Sequence, residues 1–373
     1  MKHPLAIILL FSAATHALAQ DILIAVKKDN KWGYVNTTET FIIPAKYDDA
    51  WPFYDNKAVV VENNSVALID TKGNYIIKPR KGSSTGDLTN KRLVYSNEQN
   101  KWGALDLKGN TAVPFSNDIL SSFQYGMAIT GTKSSNPDLV RINVIDTLGK
   151  PVITFDNIYL PIKTITVGKK IREGYVSVLV DGDYSKSLLP SGMKLDGKDL
   201  YYALLDVRNK QLVNLKINSL LEEVAEGRLN LAVDGISYSW SIPLASEPVV
   251  SEAKFSFLSP AIYPFSSGIA AVQKDGKWAF VDKDGSLLSE TNLPVDEYVN
   301  EHPVYSGGFM IFIKKNGEGI YTDLKGAQRL AMEFDELHPF QLGAAVVKTK
   351  GKYGLIQKDG SWAVQPVYED LRF

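Results

Sequence analysis

The 373-residue chain has no cysteine. Disulfide bridges, thiol catalysis, iron–sulfur clusters and Cys-ligated zinc are therefore excluded. Histidine is nearly as scarce, with four in all and only His302 and His338 beyond the first nineteen residues. Two imidazoles and no H-E-x-x-H spacing leave little from which to build a transition-metal centre or a Ser-His-Asp triad. No G-x-x-x-x-G-K-[ST] or G-x-G-x-x-G loop occurs, so a phosphate cradle has no foothold and no cofactor is expected. Charge of one sign is lacking too. Asp and Glu number 42 against 41 Lys and Arg, with no block of five like charges, which argues against a nucleic-acid surface or a polybasic membrane patch. Lys163, Lys169, Lys170 and Arg172 form the densest basic stretch and read as a solvated face.

Long apolar runs are also missing. The longest opens the chain, from Leu5 to Phe11, preceded by Lys2 and His3 and followed by Ala17-Leu18-Ala19 before Gln20. This is the pattern of a secretory signal peptide cleaved after Ala19. The run is too short to span a bilayer, and no later segment approaches the roughly 18 apolar residues that a membrane helix needs. An exported mature chain, residues 20–373, is expected to be periplasmic, cell-surface or extracellular, with no integral membrane segment once the leader is removed.

What the chain has in abundance is repetition. One phrase recurs: an apolar strand, a tight turn, an aromatic-small-apolar strand, an Asp turn, and a further apolar strand. Near the C-terminus it reads Ala270-Ala271-Val272, Asp275-Gly276-Lys277-Trp278-Ala279-Phe280-Val281-Asp282, Asp284-Gly285 and Leu287-Leu288. Aligning the small residue after the aromatic picks out Gly33, Ala67, Gly103, Val144, Ala203, Ser237, Ala279, Gly319 and Gly354, about nine copies. Seven of the eight intervals lie between 34 and 42 residues; the 59-residue interval before Ala203 signals an insertion around 157–200.

Each copy carries a recipe for three antiparallel strands. Asp29-Asn30, Asn63-Asn64, Gln99-Asn100, Asp275-Gly276, Asn316-Gly317 and Lys350-Gly351 separate the first two strands and tolerate positive φ, as a two-residue primed hairpin requires. The second turn reads Asp70-Thr71-Lys72-Gly73, Asp106-Leu107-Lys108-Gly109, Asp146-Thr147-Leu148-Gly149, Asp282-Lys283-Asp284-Gly285 and Asp323-Leu324-Lys325-Gly326. There the carboxylate can accept backbone N–H groups while Gly takes the left-handed position. Helical periodicity is confined to one short expected helix at Leu220–Val224. Since a unit of roughly 40 residues cannot bury a sufficient core alone, neighbours must stack. A connector phrase follows the third strand, as in Tyr47-Asp48-Asp49-Ala50-Trp51-Pro52-Phe53, Phe334-Asp335-Glu336-Leu337-His338-Pro339-Phe340 and the terminal Tyr368-Glu369-Asp370-Leu371-Arg372-Phe373. Its aromatics are expected between neighbouring sheets. The phase of the two ends suits closure into a propeller-like ring, with an open β solenoid as the alternative all-β architecture.

Lys31-Trp32-Gly33-Tyr34-Val35, Lys101-Trp102-Gly103-Ala104-Leu105-Asp106, Lys277-Trp278-Ala279-Phe280-Val281-Asp282 and Lys352-Tyr353-Gly354-Leu355-Ile356 resemble the WG-containing, or KWG, repeat of bacterial proteins. The resemblance spans essentially all of residues 20–373. Departures include Val66, Asn143, Tyr202, Ile236 and Glu318 in place of Trp. It implies an exported all-β repeat protein used for interaction and implies no catalytic residue.

Chemistry in this frame is sparse. The Asp residues recur at one turn position, which fits backbone capping better than catalysis. A carbohydrate-active hydrolase using two other carboxylates is the runner-up reading, and a purely structural cell-envelope component the third. Asp181-Gly182-Asp183 and Asp282-Lys283-Asp284-Gly285 faintly resemble calcium loops without the later oxygen ligands. No catalytic, cofactor or metal residue is therefore assigned. Among six Trp and eighteen Tyr, Trp32, Trp102 and Trp278 hold the repeat position and are expected in the packing. The less periodic Tyr201, Tyr202, Tyr238 and Trp240 are the candidate binding surface, with specificity expected at residues 157–202 and 289–308. The expectation is a non-enzymatic interaction or scaffold protein whose partner is a protein or a cell-envelope glycan.

Overall fold

The computed structural model describes residues 22–153, 158–161, 173–180, 190–213, 224–233, 236–241, 262–298, 303–330, 332 and 334–373. The expected leader, Asp181 to Asp183 and His302 lie outside the described residues, as does the expected helix apart from Val224, which opens the strand Val224–Ala225. Among the described residues every regular element is a strand.

The aligned small residues all fall on strands paired antiparallel with the strand before them. Lys31–Val35 pairs with Ile24–Lys28, Ser65–Asp70 with Lys57–Glu62, and Trp102–Leu105 with Arg92–Ser96. Leu139–Asp146 pairs with Met127–Lys133, Lys198–Asp206 with Tyr175–Val180, and Ile236–Ser241 with Arg228–Val233. Lys277–Asp282 pairs with Ile269–Lys274, Gly319–Thr322 with Phe309–Ile313, and Lys352–Gln357 with Ala344–Thr349. Third strands follow at Phe41–Tyr47, Tyr75–Lys81, Thr111–Asn117, Leu287–Pro294 and Trp362–Tyr368. Primed turns hold where a two-residue loop is available, as at Asp29 (φ 51°) and Asn30 (φ 59°). At Gln99-Asn100 and Asn316-Gly317 only the second residue has positive φ, because the loop is longer: Asn100 N–H donates to Asn97 O and Gly317 N–H to Lys314 O.

The cores lie between units. Ala25, Trp32, Tyr34 and Tyr47 pack with Ala58, Val60, Ala67 and Ile69 of the following unit. Val59, Leu68 and Ile77 pack with Leu93, Tyr95 and Leu105. Ile24, Val26 and Val35 pack with Leu355, Val364, Tyr368 and Leu371, so the last unit shares a core with the first. Sharing is what makes a small unit viable, since each sheet has two faces to cover and little apolar mass of its own.

The connector does more than cross between sheets. It contributes a two- or three-residue strand to the next unit: Asp49–Ala50 pairs with Val60 and Val61, Ile119–Leu120 with Thr130 and Gly131, and Glu336–Leu337 with Val347 and Lys348. Asp370–Arg372 pairs in the same way with Ala25–Lys27, at the other end of the sequence. The acid before each of these four short strands makes a repeated clamp. Its N–H donates to a carbonyl of the next unit, Asp48 to Val61, Asp118 to Gly131, Asp335 to Lys348 and Glu369 to Lys27, at 2.8 to 3.0 Å. Its carboxylate accepts the N–H of that unit's first hairpin, from Asn63, Lys133, Gly351 and Asn30.

The insertion is split. Ile158–Pro161 wedges between Leu139–Arg141 and Leu179–Val180, joining two neighbouring units in one nine-stranded sheet. Pro190–Leu195 lengthens the hairpin between Tyr175–Val180 and Lys198–Asp206. The described part of 289–308 instead fills ordinary repeat positions, in the strand Leu287–Pro294 and the short strand Tyr305–Ser306.

The alternation of Gly and Ala after the aromatic follows from the third strand. Trp32 faces Tyr47 and Tyr34 faces Ile43, which leaves Pro44, Ala45 and Lys46 bulged opposite Gly33. A Cβ there would lie 2.6 Å from the Ala45 nitrogen, and one at Gly354 would lie 2.7 Å from the Val364 carbonyl oxygen. Opposite Ala67 the bulge has only two residues, Lys78 and Pro79. In the Ala279 copy Ala279 pairs directly with Glu290, and the three-residue bulge faces Trp278 instead. Gly33→Ala should therefore lower stability by about 1–3 kcal/mol through overpacking against backbone. Ala67→Gly, opposite the shorter bulge, meets no such overlap and should cost less, about 0.5–1 kcal/mol. Thermal denaturation of both variants checks the order, and equal losses would remove the bulge explanation.

The clamps also set an acid limit. A Lys31 hydrogen bond and the Asn63 N–H hold the Asp48 carboxyl below the usual 3.8, and Lys101 with the Lys133 N–H does the same at Asp118. Depressed folded values mean that this stabilisation is complete above pH 3.8 and is lost as pH falls through the lower folded values. Asp48→Asn with Asp118→Asn should flatten the acid limb of the stability profile; an unchanged limb below pH 4, measured by urea melts, would assign it elsewhere.

Candidate functional site

Antiparallel pairing sets Lys57 opposite Asp70, so the turn leaving each short strand and the Asp turn emerge at the same end of a unit. The Asp turns are structural. Asp70 Oδ1 accepts the N–H groups of Lys72 and Asn74 at 2.9 Å, and Gly73 N–H donates to Asp70 O. Asp106, Asp146, Asp282 and Asp323 repeat the arrangement. Although burial pushes it up, hydrogen bonds from Asn74 and Lys72 hold the Asp70 carboxyl below its ordinary value. At Asp106 the Asn110 hydrogen bonds do so first. These carboxylates are committed to backbone, which fits the capping expected from sequence and leaves them poorly placed for proton transfer.

The inner turns form the more distinctive feature. Asp55-Asn56, Asn90-Lys91, Tyr125-Gly126, Glu173-Gly174, Glu226-Gly227, Ser267-Gly268, Gly307-Gly308 and Leu342-Gly343 all have positive φ at both positions. Consecutive turns touch. Asn90 Nδ2 donates to Phe123 O and Arg208 stacks over both Tyr125 and Tyr175. Glu173 accepts the N–H groups of Glu226 and Gly227, and Glu226 in turn accepts those of Ser267 and Gly268. Ser266 Oγ donates to Tyr305 O and Ser306 Oγ to Phe340 O. Burial raises the Glu226 carboxyl, but the Gly268 N–H and Lys283 outweigh it and hold the group below its ordinary range.

Side chains at the turn tips point outward. Leu342 is 94% exposed, Tyr54 69% and Tyr125 56%, with Ile22 half exposed beside them. Open clefts lie beside these side chains and near the terminal connector. One of about 430 Å³ is lined by Ile22, Pro52, Leu342 and Phe373, and another of about 480 Å³ by Tyr54, Asp87, Asn90, Gln124 and Tyr125. A third, of about 280 Å³, borders His338, Arg372 and Phe373. His338 Nε2 lies 3.1 Å from Glu336 Oε1, whose other oxygen accepts the Tyr353 hydroxyl, and the His338 carbonyl accepts the Tyr321 hydroxyl. Burial first, then the Glu336 contact, pushes the Tyr353 phenol well up.

Arg372 sits where the two ends of the sequence meet. Its Nη1 donates to Asp49 Oδ1 at 2.7 Å and to Ala50 O at 2.8 Å, and its guanidinium lies 4.3 Å from the Trp32 ring centroid and 5.1 Å from that of Trp51. The Tyr34 hydroxyl donates to Trp51 O nearby, and burial drives that phenol far above its ordinary range.

The aromatics singled out from sequence lie on two strands, Lys198–Asp206 and Ile236–Ser241. Tyr202 is only 8% exposed, with its phenol raised by burial, and Tyr201 packs partly buried against the core of Val178, Val180 and Ala203. Tyr238 and Trp240 lie on Ile236–Ser241, in a different sheet, opposite Leu231 and Leu229. Their side chains lie outside the described residues. The exposed tips Tyr54, Tyr125 and Leu342 escape a search for clustered aromatics, because each stands alone in its own copy. The available signal is the x-Gly pair before an apolar strand, as in Tyr125-Gly126-Met127 and Leu342-Gly343-Ala344. No group of three or more His, Asp or Glu among the described residues is arranged to hold a metal ion.

The profile of the WG containing repeat matches residues 32–65, 249–278, 321–353 and 353–373, so the chain carries this repeat at four places. No curated protein is detectably similar in sequence. Among solved structures, one described as the eukaryotic initiation factor superposes with a TM-score of 0.59 at 11% identity, covering 95% of this chain and 98% of that one. The computationally designed Ika8 protein gives a TM-score of 0.44 at 14% identity, with 83% and 93% coverage. BamB from Moraxella catarrhalis gives 0.36 at 11% identity, with 90% and 93% coverage. The first of these likenesses is one of fold. No helix among the described residues is long and apolar enough to cross a membrane.

Arg372→Ala removes two stacked rings and an ion pair that is only a third exposed. Cation–π contacts of this kind contribute about 0.5–2 kcal/mol. The variant should melt at lower temperature by a few degrees and show earlier hydrogen exchange at Ala25–Lys27 than in the rest of the chain. Uniformly faster exchange would mean that the junction is not a local fastening.

Proposed function

We propose that the chain closes into a propeller-like ring of nine units and acts as a non-enzymatic interaction protein through its inner turns. Three observations support the ring: the strand pairing of Asp370–Arg372 with Ala25–Lys27, the core shared by first and last units, and the Glu369 clamp on Asn30. Each repeats at the ends of the sequence what neighbouring units do elsewhere. An open solenoid would leave Ile24–Lys28 and the terminal connector without these partners.

The observation that carries the binding reading is the set of exposed side chains Leu342, Tyr54 and Tyr125, raised on turns that are closed by the backbone pairs Tyr54–Lys57, Gln124–Met127 and Gln341–Ala344. Large apolar and aromatic side chains held outward by a rigid frame lose little freedom on binding. Residues 1–19 supply the export signal, residues 20–373 the repeat domain, and the partner is a protein or a glycan of the cell envelope. A hydrolase needs two carboxylates facing a substrate. Asp48, Asp70, Glu226 and Glu336 face backbone N–H groups, lysines or a tyrosine instead.

The test is a pull-down with residues 20–373 against the envelope fraction of the host, read by mass spectrometry and glycan analysis. Saturable capture should fall at least tenfold in an Ile22→Ser, Leu342→Ser double variant that melts like the parent. A polysaccharide or peptide cut by the protein would overturn the non-enzymatic reading, and capture indifferent to the double variant would place the binding surface elsewhere.

A further inference from the structure

The cleft between Tyr54 and Tyr125 is built by a departure from the repeat. Where other connectors carry an aromatic-acid pair and an apolar step, residues 82–89 read Gly-Ser-Ser-Thr-Gly-Asp-Leu-Thr. Gly86, at φ +82°, passes so close over the Trp51 indole that a Cβ would overlap it. Local hydrogen bonds fix the segment: Gly86 N–H donates to Ser84 Oγ, and Asp87 accepts the hydroxyls of Thr85 and Ser122. Thr89 Oγ1 accepts the Phe123 N–H. The floor is therefore stiff.

Its polar groups are of both kinds and nearly uncharged. Asp87 is the one acid in the lining, which includes no Lys, Arg or His. The Gln124 side-chain amide, half-buried, makes no hydrogen bond among the described residues, and Asn90 spends one amide N–H on Phe123 O. The backbone of Tyr54 and of Gln124 is closed within its own turn, by bonds to Lys57 and Met127, so it offers no extended edge to a peptide strand. Arg208 lies over the Tyr125 ring and steadies it, while Tyr54 stands free of ring contacts in the exposed rim.

From this arrangement we propose that the Tyr54–Tyr125 cleft is a binding site for a short neutral saccharide. Pyranose C–H bonds carry partial positive charge and settle on the negative face of an aromatic ring. Vicinal hydroxyls need a donor and an acceptor side by side, which the Gln124 and Asn90 amides supply. An anionic ligand would meet Asp87 with no cation in the lining. The volume of about 480 Å³ suits one to three sugar units. The assignment rests on the binding-protein reading, and narrows it to one cleft and one ligand class.

Calorimetry and saturation-transfer NMR with chitotriose, cellotriose and maltotriose test it on residues 20–373. At least one sugar should bind saturably, with affinity reduced at least tenfold by Tyr54→Ala and by Gln124→Ala. Leu342→Ser, at the other cleft, should leave it unchanged, and melting curves should show all three variants folded. No saturable binding of any of the three sugars overturns the proposal, as does binding indifferent to Tyr54 and Gln124. A pool of dodecapeptides run alongside, if bound in a Tyr54-dependent manner while the sugars are not, overturns it in favour of a peptide site. Because the envelope pull-down is read through Ile22 and Leu342, its success or failure is separate from this result.

Discussion

Two or three residues of backbone, lent by a connector to the sheet that follows, hold units together at four places among the described residues. Asp49–Ala50, Ile119–Leu120, Glu336–Leu337 and Asp370–Arg372 are too short to be strands on their own and are meaningful only as an added edge of the next unit. The loan ties each unit to its successor through hydrogen bonds that exist in no single unit. Pairing brings the neighbouring sheet faces together, and the shared cores then exclude water between them. The order of dependence matters: apolar burial supplies most of the stabilisation, but burial is non-directional, whereas the lent strand and the acid clamp fix which sheet follows which. The lent strands are very short, and Asp49–Ala50, Ile119–Leu120 and Glu336–Leu337 are each followed five residues on by a turn of positive φ, so these edges do not extend.

Much of this is legible in the order of the amino acids, and for a definite reason. Period, turn chemistry and the aromatic-small pair are consequences of local backbone geometry, and local geometry is written in adjacent residues. Asp70-Thr71-Lys72-Gly73 announces its turn because a carboxylate and a left-handed Gly do one thing well together. The second strands fall where the alignment of small residues puts them, even in the weak copies at Val144 and Ser237. What local patterns do not reveal is the lending. Tyr47-Asp48-Asp49-Ala50 reads as a link, since the partner of Ala50, Val60, lies across a turn in the next copy. The reason for Gly at 33 and Ala at 67 is hidden likewise, because it lies in the length and phase of a bulge on another strand. The insertion shows in the sequence only as a long interval. Its division between an extra strand and a lengthened hairpin depends on pairing partners that spacing does not disclose.

The candidate site is less legible than the fold. Counting aromatics favours Tyr201 and Tyr202 because they cluster beside the insertion, yet Tyr202 holds the Trp position of its copy and is buried in the shared core. Exposure is decided by which part of the unit a residue occupies, and the inner turns are the part that no neighbour covers. Tyr125 and Leu342 occupy the first position of the turn, filled by Asp55, Ser267 and Glu226 in other copies, and Tyr54 stands one residue before it. The two kinds of filling do different things. Glu173 and Glu226 reach to the next turn and bind its N–H groups, closing the inner surface where they stand, while the apolar tips reach toward solvent.

That contrast gives a physical rule for separating frame from function in this chain. A residue type that recurs at one position and always meets the same backbone groups, such as the turn Asp or the clamp acid, is accounted for by the frame, and its chemistry is spent. A position whose backbone geometry is constant while its side chain changes from Glu to Ser to Tyr to Leu is free of that demand. Positive φ at these turns fixes where the side chain emerges and little else, so the frame supplies a set of aimed, near-equivalent mounts. Where a mount carries Glu, its carboxylate accepts the backbone N–H groups of the next turn; where it carries Tyr or Leu the side chain faces solvent, and the clefts beside it are left for something outside the chain. The connector at 82–89 shows the same logic applied to backbone: it abandons the aromatic-acid phrase, and the room so made opens between two exposed tyrosines.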